Sequence, residues 1–535
     1  MTTMNRSVLS AALSLACFVA AITLAGCGGS DDPAADPTVV QTQQGPVKGS
    51  ASSGVQRFLG VPYAAPPTGA LRWKAPAPAA TRTGVYDAST PGSPCLQAPP
   101  PTSAVSGNED CLYLNIYRPD TASATPLPVV FAIHGGGFVL GSSAFIDGTS
   151  LAKNHQVIVV SINYRLNALG FMAHPALTAE DSSTHASGNY GLMDQNAALA
   201  WVKQNIGAFG GDPANVTITG GSAGGISVFS HLASPMSAGL VAKAAPQSGG
   251  FTRVQAPLGD AETSGAAFAS AWGCGTGTPA EIATCLRNLP AATTLQGNPP
   301  AWLPIVDGKF LTTSTSTAFS SGAFNKVPLM AGFVDDEGTF FVATAFDVRG
   351  NPVTAPDYEP TIQAYLGVPG ASTAALYPLS QFASPSQALA RVYGDYRVIC
   401  GIMQDADNIA NHVPSAYVYQ FSEKHGYNTN SLVSNLPPTS ISYGAFHGSD
   451  VAYWFDQMIT PTVAQQQLAQ IMSSAIANFA KTGNPSTAGA PQWQPYTAAQ
   501  RQTFSLSQEV LNSNFDAYGA HQCGYWYTQP PSTHL

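Results

Sequence analysis

Charged side chains are scarce in this chain: only 10% of its 535 residues are Asp, Glu, Lys or Arg. The sequence has no basic clusters, which nucleic-acid-binding proteins need, and it lacks the high net charge of disordered chains. The net charge of −9 is modest for this length and indicates only solubility. With 44% apolar residues, 51 glycines and 42 prolines, the composition is typical of a loop-rich folded protein with a large core. Such a chain forms one large α/β domain with insertions, or several domains.

The cysteines also lack a familiar pattern, because none shows the C-x-x-C spacing of zinc sites. We therefore expect no metal, and nothing in the sequence calls for a cofactor. The chain likewise shows no internal repeat.

The N-terminus differs in composition from the rest. Arg6 precedes the apolar run 8–24 and a few small residues, which is typical of a secretory signal. Leu24-Ala25-Gly26-Cys27 resembles the lipobox of bacterial lipoproteins, which implies cleavage before Cys27 and lipid attachment to its thiol. The alternatives are an ordinary signal with an incidental cysteine, or a single membrane span. The polar segment 28–33 favours a tether.

We therefore predict a signal peptide over residues 1–26, a flexible tether over 27–40 and a folded domain over 41–535. Residue 28 is Gly rather than Asp, which in such lipoproteins implies sorting to the outer membrane. An exported protein forms disulfides, and six cysteines remain once Cys17 and Cys27 are set aside. Six cysteines allow fifteen pairings, and their spacing does not choose among these.

Continuous apolar runs predict strands that are covered on both faces of a sheet. The runs cover residues 127–134, 156–164, 327–334 and 416–421. Helical periodicity follows over 192–206 and 463–480, where Gly483 and Pro485 end the second helix. Strands that alternate with helices predict an α/β fold with a large, mostly parallel central sheet flanked by helices.

One further strand ends at a serine between glycines, in the stretch 216–225 (VTITGGSAGG). A helix pattern begins directly after it, so Ser222 lies in a sharp turn from strand to helix. Such a G-x-S-x-G turn holds a nucleophilic hydroxyl exposed at the carboxyl end of a sheet. The motif alone is weak evidence in a chain with 51 glycines. A glycine triplet, Gly135 to Gly137, follows another strand and offers backbone N–H groups for an oxyanion, together with the N–H of Ala223.

Several motifs in fixed order resemble those of the type-B carboxylesterases, the cholinesterase-like branch of the α/β-hydrolases. They are Glu109-Asp110-Cys111-Leu112-Tyr113-Leu114-Asn115, His134-Gly135-Gly136-Gly137-Phe138, Asn163-Tyr164-Arg165-Leu166, Gly188-Asn189-Tyr190-Gly191-Leu192-Met193-Asp194-Gln195, Phe209-Gly210-Gly211-Asp212-Pro213 and Gln247-Ser248-Gly249. The resemblance covers residues 41–525 and implies an α/β-hydrolase fold with cholinesterase-like insertions. It also implies that the domain over 41–535 is a catalytic carboxylesterase domain.

The resemblance assigns a Ser-Glu-His triad in the chain order of α/β-hydrolases. Ser222 is the nucleophile, Glu337 in Asp336-Glu337-Gly338 is the acid, and His447, followed by a glycine, is the base. Asp335 and Asp336 are rival acids from sequence alone. The family further implies that Gly136, Gly137 and Ala223 form the oxyanion hole, that His134 shapes this loop, and that Ser248 is a buried serine supporting the acid.

The same resemblance also implies two ion pairs and three disulfides. It pairs Arg72 with Glu109 and Arg165 with Asp194 as buried ion pairs. From the fifteen arrangements it selects the disulfides Cys95–Cys111, Cys274–Cys285 and Cys400–Cys523.

Two departures from the family concern the substrate. Many relatives carry Glu before the nucleophile, where this chain has Gly221, and the loop between Cys95 and Cys111 contains no aromatic residue. Both changes weaken a cation site for choline esters. The segment 297–302 lacks the bulky aromatics that crowd the acyl pocket of cholinesterases, although Trp302 can close part of it.

We therefore expect a serine hydrolase for neutral, moderately apolar carboxylic esters. Its partner is a small-molecule ester substrate; no nucleic acid is expected, and the membrane is contacted only through the lipid anchor, at the outer membrane. The alternatives are a non-catalytic surface or adhesion protein of this family, and a true lipase. The oligomeric state is not predicted.

Overall fold

The computed structural model describes residues 36–98, 104–296, 301–424, 439–509 and 511–531. The predicted signal peptide, Cys27 and most of the predicted tether lie outside the described residues. The strands are β1 (Val39–Thr42), β2 (Gly45–Lys48), β3 (Ser50–Ser52), β4 (Val55–Pro62), β5 (Tyr86–Asp87), β6 (Tyr113–Pro119), β7 (Leu127–Ile133), β8 (Ile158–Ile162), β9 (Gly211–Gly221), β10 (Lys243–Gln247), β11 (Leu329–Val334), β12 (Ala416–Phe421), β13 (Thr503–Leu506) and β14 (Leu511–Phe515).

Helices connect most of these strands. They are α1 (Thr149–His155), α2 (Asn167–Phe171), α3 (Pro175–Glu180), α4 (Tyr190–Asn205), α5 (Ala223–Ala233), α6 (Leu258–Ala271), α7 (Pro279–Asn288), α8 (Thr315–Ser321), α9 (Thr339–Ala345), α10 (Tyr358–Thr361), α11 (Gly370–Leu376), α12 (Pro385–Gly394), α13 (Cys400–Ala410), α14 (Val451–Trp454), α15 (Val463–Thr482), α16 (Ala517–Ala520) and α17 (Cys523–Trp526). None of the described helices is long and apolar enough to cross a membrane.

The central sheet has the strand order β14-β13-β12-β11-β10-β9-β7-β8-β6-β4-β3. Its middle, from β13 to β8, is parallel throughout, and both edges are antiparallel. A small separate sheet joins β1, β2 and β5. The predicted mostly parallel sheet is thus confirmed, and it has the architecture of an α/β-hydrolase fold.

The apolar runs form the central strands because helices cover both faces of the sheet. Along β7, Val129, Phe131 and Ile133 pack into one core cluster, whereas Val130 and Ala132 pack into the cluster on the opposite face. The amphipathic helix α15 covers the second face through apolar residues such as Leu468, Met472, Ile476 and Phe479. A strand buried on both faces has no polar side to mark it, which explains its uninterrupted apolar sequence.

The first strand of the described residues begins at Val39. Val39 and Val40, assigned to the tether, pair with Lys48 and Val47 in the small sheet. Val40 is buried there against the core, which fixes this segment in place.

The three disulfides implied by the resemblance are present and join Cys95 to Cys111, Cys274 to Cys285 and Cys400 to Cys523. Both implied ion pairs are also present. Arg165 binds Asp194 through two bonds of 2.7 Å, and Arg72 binds Glu109 through bonds of 2.7 and 2.6 Å.

Candidate active site

Ser222 occupies the turn between β9 and α5, as predicted. Its φ of 58° and ψ of −122° are unusual for a residue with a side chain, and such strain costs about 1–3 kcal/mol. The Ser222 N–H donates to the carbonyl of Gln247 at 2.9 Å, which ties the turn to the neighbouring strand β10. The hydroxyl therefore stands at the carboxyl end of the parallel sheet, where α/β folds place their sites.

The glycines after Ser222 are required because helix α5 lies directly against two strand ends. A Cβ atom at Gly224 would lie 2.2 Å from the carbonyl oxygen of Ile133, and one at Gly225 would lie 2.3 Å from that of Gln247. Any side chain at either position would displace the helix. The G-x-S-x-G pattern thus reflects close packing of α5, as the sequence indicates.

His447 and Glu337 meet although 110 residues separate them. The Nδ1 atom of His447 lies 2.5 Å from Oε2 of Glu337, whose side chain is fully buried. The other carboxylate oxygen, Oε1, accepts the N–H of Val334 at 3.1 Å. A carboxylate at Nδ1 keeps the proton on that nitrogen and leaves Nε2 as the base. Nε2 is buried and has no hydrogen-bond partner within the described part of the chain.

The two rival acids are engaged elsewhere. Asp335 forms an ion pair with Arg391 at 2.8 Å, and Asp336 accepts the backbone N–H of Ala445 at 2.9 Å. Of the three adjacent carboxylates, Glu337 is therefore the one that contacts the imidazole of His447.

The glycine triplet lies against the nucleophile. A Cβ atom at Gly135 would lie 2.7 Å from the carbonyl oxygen of Gly221 and 3.1 Å from Cβ of Ser222. Gly136 and Gly137 have φ values of 107° and 63°. Among the described residues, no group accepts a hydrogen bond from their N–H groups. Ala223 is the first residue of α5, so its N–H also lacks a partner within the helix.

His134 supports this loop rather than the chemistry. Its Nδ1 donates to the carbonyl of Gly135 at 2.8 Å, and its ring stacks on Tyr164 at a centroid distance of 4.4 Å. Burial lowers the pKa of His134 to about 4, so the ring is neutral at physiological pH. The structure therefore fits the expected role of His134 in shaping the glycine loop.

Ser248 lies at the end of β10 but is not bonded to the acid. Its N–H donates to the carbonyl of Gly332 at 2.8 Å, whereas its buried hydroxyl has no hydrogen-bond partner in the ranges described. Support of Glu337 by a direct hydrogen bond from Ser248 is therefore absent, and a supporting role stays a prediction.

The sequence did not identify three residues around the histidine. The rings of Phe251 and Phe341 contact His447 at centroid distances of 5.3 and 5.0 Å. Asp450 is buried nearby, and burial and the negative charge of Glu337 raise its pKa to about 6. Tyr419 and Trp454 donate to this carboxyl group at 3.3 and 3.1 Å. Proximity of Asp450 to His447 in sequence was the one available signal.

The described residues hold no cluster of His, Cys, Asp and Glu suited to a metal ion. The site therefore consists of a strained serine, a histidine held by a buried glutamate, and a glycine loop with free N–H groups. These are the parts of a serine hydrolase of the α/β-hydrolase class.

Comparison with known proteins agrees with this class. The model of the carboxylesterase family matches residues 36–526. The para-nitrobenzyl esterase of Bacillus subtilis (strain 168) is 35% identical over 503 residues, covering 89% of this chain and 96% of that protein. The fumonisin B1 esterase of Sphingopyxis macrogoltabida is 34% identical over 475 residues, covering 86% of this chain and 84% of that protein. The chain belongs to the carboxylesterase family, and its activity is the hydrolysis of carboxylic esters.

Proposed function

We propose that Ser222, His447 and Glu337 form the catalytic triad of this carboxylesterase. The observation that carries the proposal is the contact of His447 Nδ1 with the buried Glu337 carboxylate, together with an Nε2 atom that has no hydrogen-bond partner among the described residues. A buried imidazole nitrogen without a partner is costly unless a substrate or a nucleophile uses it.

In the proposed reaction, Nε2 of His447 takes the proton of the Ser222 hydroxyl while Oγ attacks the ester carbonyl carbon. The carbonyl oxygen becomes an oxyanion that accepts hydrogen bonds from the N–H groups of Gly136, Gly137 and Ala223. The imidazolium, stabilised by Glu337, gives its proton to the departing alkoxide. Water then attacks the acyl-enzyme by the same route and releases the acid and free serine.

The favoured substrates are neutral, moderately apolar esters. Phe251 and Phe341 surround the imidazole with apolar surface, and Gly221 brings no negative charge next to the nucleophile. Trp302 is buried and packs edge-on against Phe268 at 5.9 Å, whereas the predicted acyl-pocket segment 297–300 lies outside the described residues. The two relatives are named para-nitrobenzyl esterase and fumonisin B1 esterase, and neither name refers to a choline ester.

A serine-directed label tests the triad. A sulfonyl fluoride should modify Ser222, and Ser222→Ala should lose several orders of magnitude in kcat on p-nitrophenyl butanoate while its unfolding transition is preserved. Ser230 is a matched control: it lies in α5, where its hydroxyl donates to the carbonyl of Ile226 at 2.8 Å, and Ser230→Ala should remain active. Labelling at another serine, or near-native activity of Ser222→Ala, would refute the triad. A native protein that neither hydrolyses the ester nor takes the label would favour a non-catalytic family member.

The substrate proposal is tested separately with butyrylcholine and an isosteric neutral ester. We expect no choline preference, and a choline advantage in kcat/KM above about tenfold would reveal a cation site. A series of p-nitrophenyl esters of increasing acyl length distinguishes an esterase from a lipase, because a lipase would favour long chains presented in aggregates.

We also propose that the mature protein is a lipoprotein of the outer membrane, anchored through Cys27. The sequence around Cys27 supports this proposal. Mass spectrometry of the mature N-terminus should find a lipid-modified Cys27, and Cys27→Ser should release the enzyme from the membrane fraction. An unmodified N-terminus at another residue would contradict it.

A further inference from the structure

Gly221, which precedes the nucleophile, differs from the glycines around it. A Cβ atom at Gly224, Gly225 or Gly135 would overlap a neighbouring carbonyl, but one at Gly221 would meet two atoms at ordinary contact distances. These are Cγ2 of Val451 at 3.5 Å and Oε1 of Gln247 at 3.6 Å. Packing therefore does not require a glycine here. Its absent side chain leaves an opening beside the nucleophile.

The opening is accessible from the reaction side. Gly221 and Ser222 are both partly exposed, whereas the residues of α5 that follow them are buried. Among the described residues other than the chain neighbours Gly220 and Ser222, only one atom each of Val451 and Gln247 lies within 4 Å of the Cβ position. One wall is thus a methyl group and the other is the oxygen of a carboxamide, which accepts hydrogen bonds, and neither carries a charge.

The carboxamide of Gln247, which borders the opening, is unusual because it is a buried polar group. Gln247 is only 2% exposed, and it lies opposite Gly221 in the pairing of β9 with β10. Its Nε2 atom is buried and has no hydrogen-bond partner among the residues that the structure describes. Its own carbonyl accepts the N–H of Ser222 at 2.9 Å, so the backbone fixes this side chain next to the nucleophile.

A buried amide without a partner is destabilising unless a ligand or water satisfies it. The Oε1 atom that borders the opening accepts a hydrogen bond from a hydroxyl group, whose oxygen can in turn accept from Nε2, and the carboxamide has no charge with which to attract a cation or a carboxylate. The adjacent methyl group of Val451 suits the carbon that carries such an oxygen.

We propose that this opening is a substrate subsite for a hydroxyl group near the scissile ester, whose O–H donates to Oε1 of Gln247. The subsite rests on the proposed role of Ser222 as the nucleophile. It narrows the substrate class from moderately apolar esters to those with an uncharged hydroxyl group within a few bonds of the reacting carbonyl.

The test compares esters that differ by one replacement of a methyl group by a hydroxyl group. On the acyl side these are p-nitrophenyl hydroxyacetate and p-nitrophenyl propanoate; on the alcohol side they are 2-hydroxyethyl acetate and propyl acetate. The quantity is the ratio of kcat/KM for the oxygenated ester to that for its hydrocarbon partner, measured in each variant. Using a ratio within one variant cancels differences in folded fraction, and comparing variants cancels the intrinsic reactivity of each ester.

Gln247→Leu keeps the approximate size of the side chain and removes its hydrogen bonds. Gly221→Ala fills the opening and leaves Gln247 intact, so it tests the subsite even when Gln247→Leu fails to fold. Both should lower the ratio roughly 3- to 10-fold for one of the two ester pairs, as expected for loss of one hydrogen bond. The control is Thr217→Val, which removes a buried hydroxyl without a described partner further back on the same strand β9. Its ratio should be unchanged.

An unchanged ratio for both pairs in Gln247→Leu and in Gly221→Ala would overturn the subsite and leave a bound water as the partner of the amide. In that outcome the native enzyme still hydrolyses the esters and Ser222 is still labelled by a sulfonyl fluoride. Failure of the labelling instead overturns the proposed function and the subsite together. The two failures are therefore distinguishable.

Discussion

Asp336 joins the turn that carries Glu337 to the loop that carries His447. Its N–H donates to the carbonyl of Ala445 at 3.0 Å, and its Oδ2 atom accepts the N–H of Ala445 at 2.9 Å. Gly444 has a φ of 57°, and a Cβ atom there would lie 2.1 Å from Oδ2 of Asp336. The carboxylate is therefore seated directly on the histidine loop, and we expect it to position His447 against Glu337.

The perturbation is Asp336→Ala, with Asp336→Asn as its conservative partner. A hydrogen bond to a charged group contributes about 1.5–3 kcal/mol, so its loss should lower kcat/KM roughly 10- to 150-fold where His447 depends on it. The neutral acceptor of Asn contributes about 0.5–1.5 kcal/mol and should recover part of this loss. The effect should appear in kcat more than in KM, because the histidine acts in the transition state.

The same substitution has a pH signature in stability. Burial, and secondarily the charge of Asp335, raise the pKa of Asp336 to about 6. The folded state then retains a proton that the unfolded state loses near the ordinary pKa of 3.8, so this group stabilises the fold at low pH and loses that contribution as pH rises to about 6. Asp336→Asn has no such ionisation, so its Tm relative to the native protein should rise between pH 4 and pH 7.

Steady-state kinetics on p-nitrophenyl butanoate and thermal unfolding at each pH measure both effects. Undiminished kcat in Asp336→Ala would refute the positioning role. Equal losses in the Asn and Ala variants would show that the acceptor itself is unimportant. A Tm difference between Asp336→Asn and the native protein that does not change with pH would refute the ionisation argument.

Three further predictions follow from the geometry. Glu337→Gln should lower kcat roughly 10²–10⁴-fold, because it removes the charge that stabilises the His447 imidazolium; full activity would refute the role of the acid. Gly135→Ala should sharply reduce kcat with only a modest change in Tm, because its methyl would press on Ser222; an inactive protein that is also unfolded would contradict this. Asp194→Ala should cost about 3–5 kcal/mol in denaturant unfolding, because it leaves a buried arginine unpaired; a loss below about 1 kcal/mol would contradict this.

The sequence was sufficient for the centre of the fold. Strands buried on both faces appear as uninterrupted apolar runs, so β7, β8, β11 and β12 were predicted within a few residues. The helix α15 was predicted because its apolar face repeats at helical spacing and Gly483 ends it with a φ of 80°. These signals are local, and the structure follows them.

The segments around α9 to α13 gave no comparable signal. Their helices are short, and π-turns interrupt the series at Ile362–Leu366 and Asp395–Ile399, so no long apolar periodicity develops. Strands β13 and β14 are too short to stand out from the surrounding loop. Their positions depend on contacts with the sheet, which a single sequence does not show.

The candidate site likewise combines features that the sequence predicts with features that only the fold shows. The serine turn is a local motif, whereas the contact of His447 with Glu337 joins residues far apart in the chain and followed only from the family resemblance. The aromatic rings of Phe251 and Phe341 carry no motif, so their place beside the histidine emerges only from the fold. The hydroxyl of Ser248, which has no hydrogen-bond partner among the described residues, shows the opposite case, in which a familiar motif does not fix a specific hydrogen bond.

The glycines around Ser222 have two different structural roles. Gly135, Gly224 and Gly225 each face a backbone carbonyl at a distance that excludes a Cβ atom, so the turn itself requires them. Within the described part of the chain, Gly221 faces the ends of two side chains at ordinary contact distances, so the fold tolerates a Cβ atom there. Substitution at the first three positions should therefore change whether the enzyme works. Substitution at Gly221 should instead change which ester it prefers, because this position adjoins the nucleophile without supporting it.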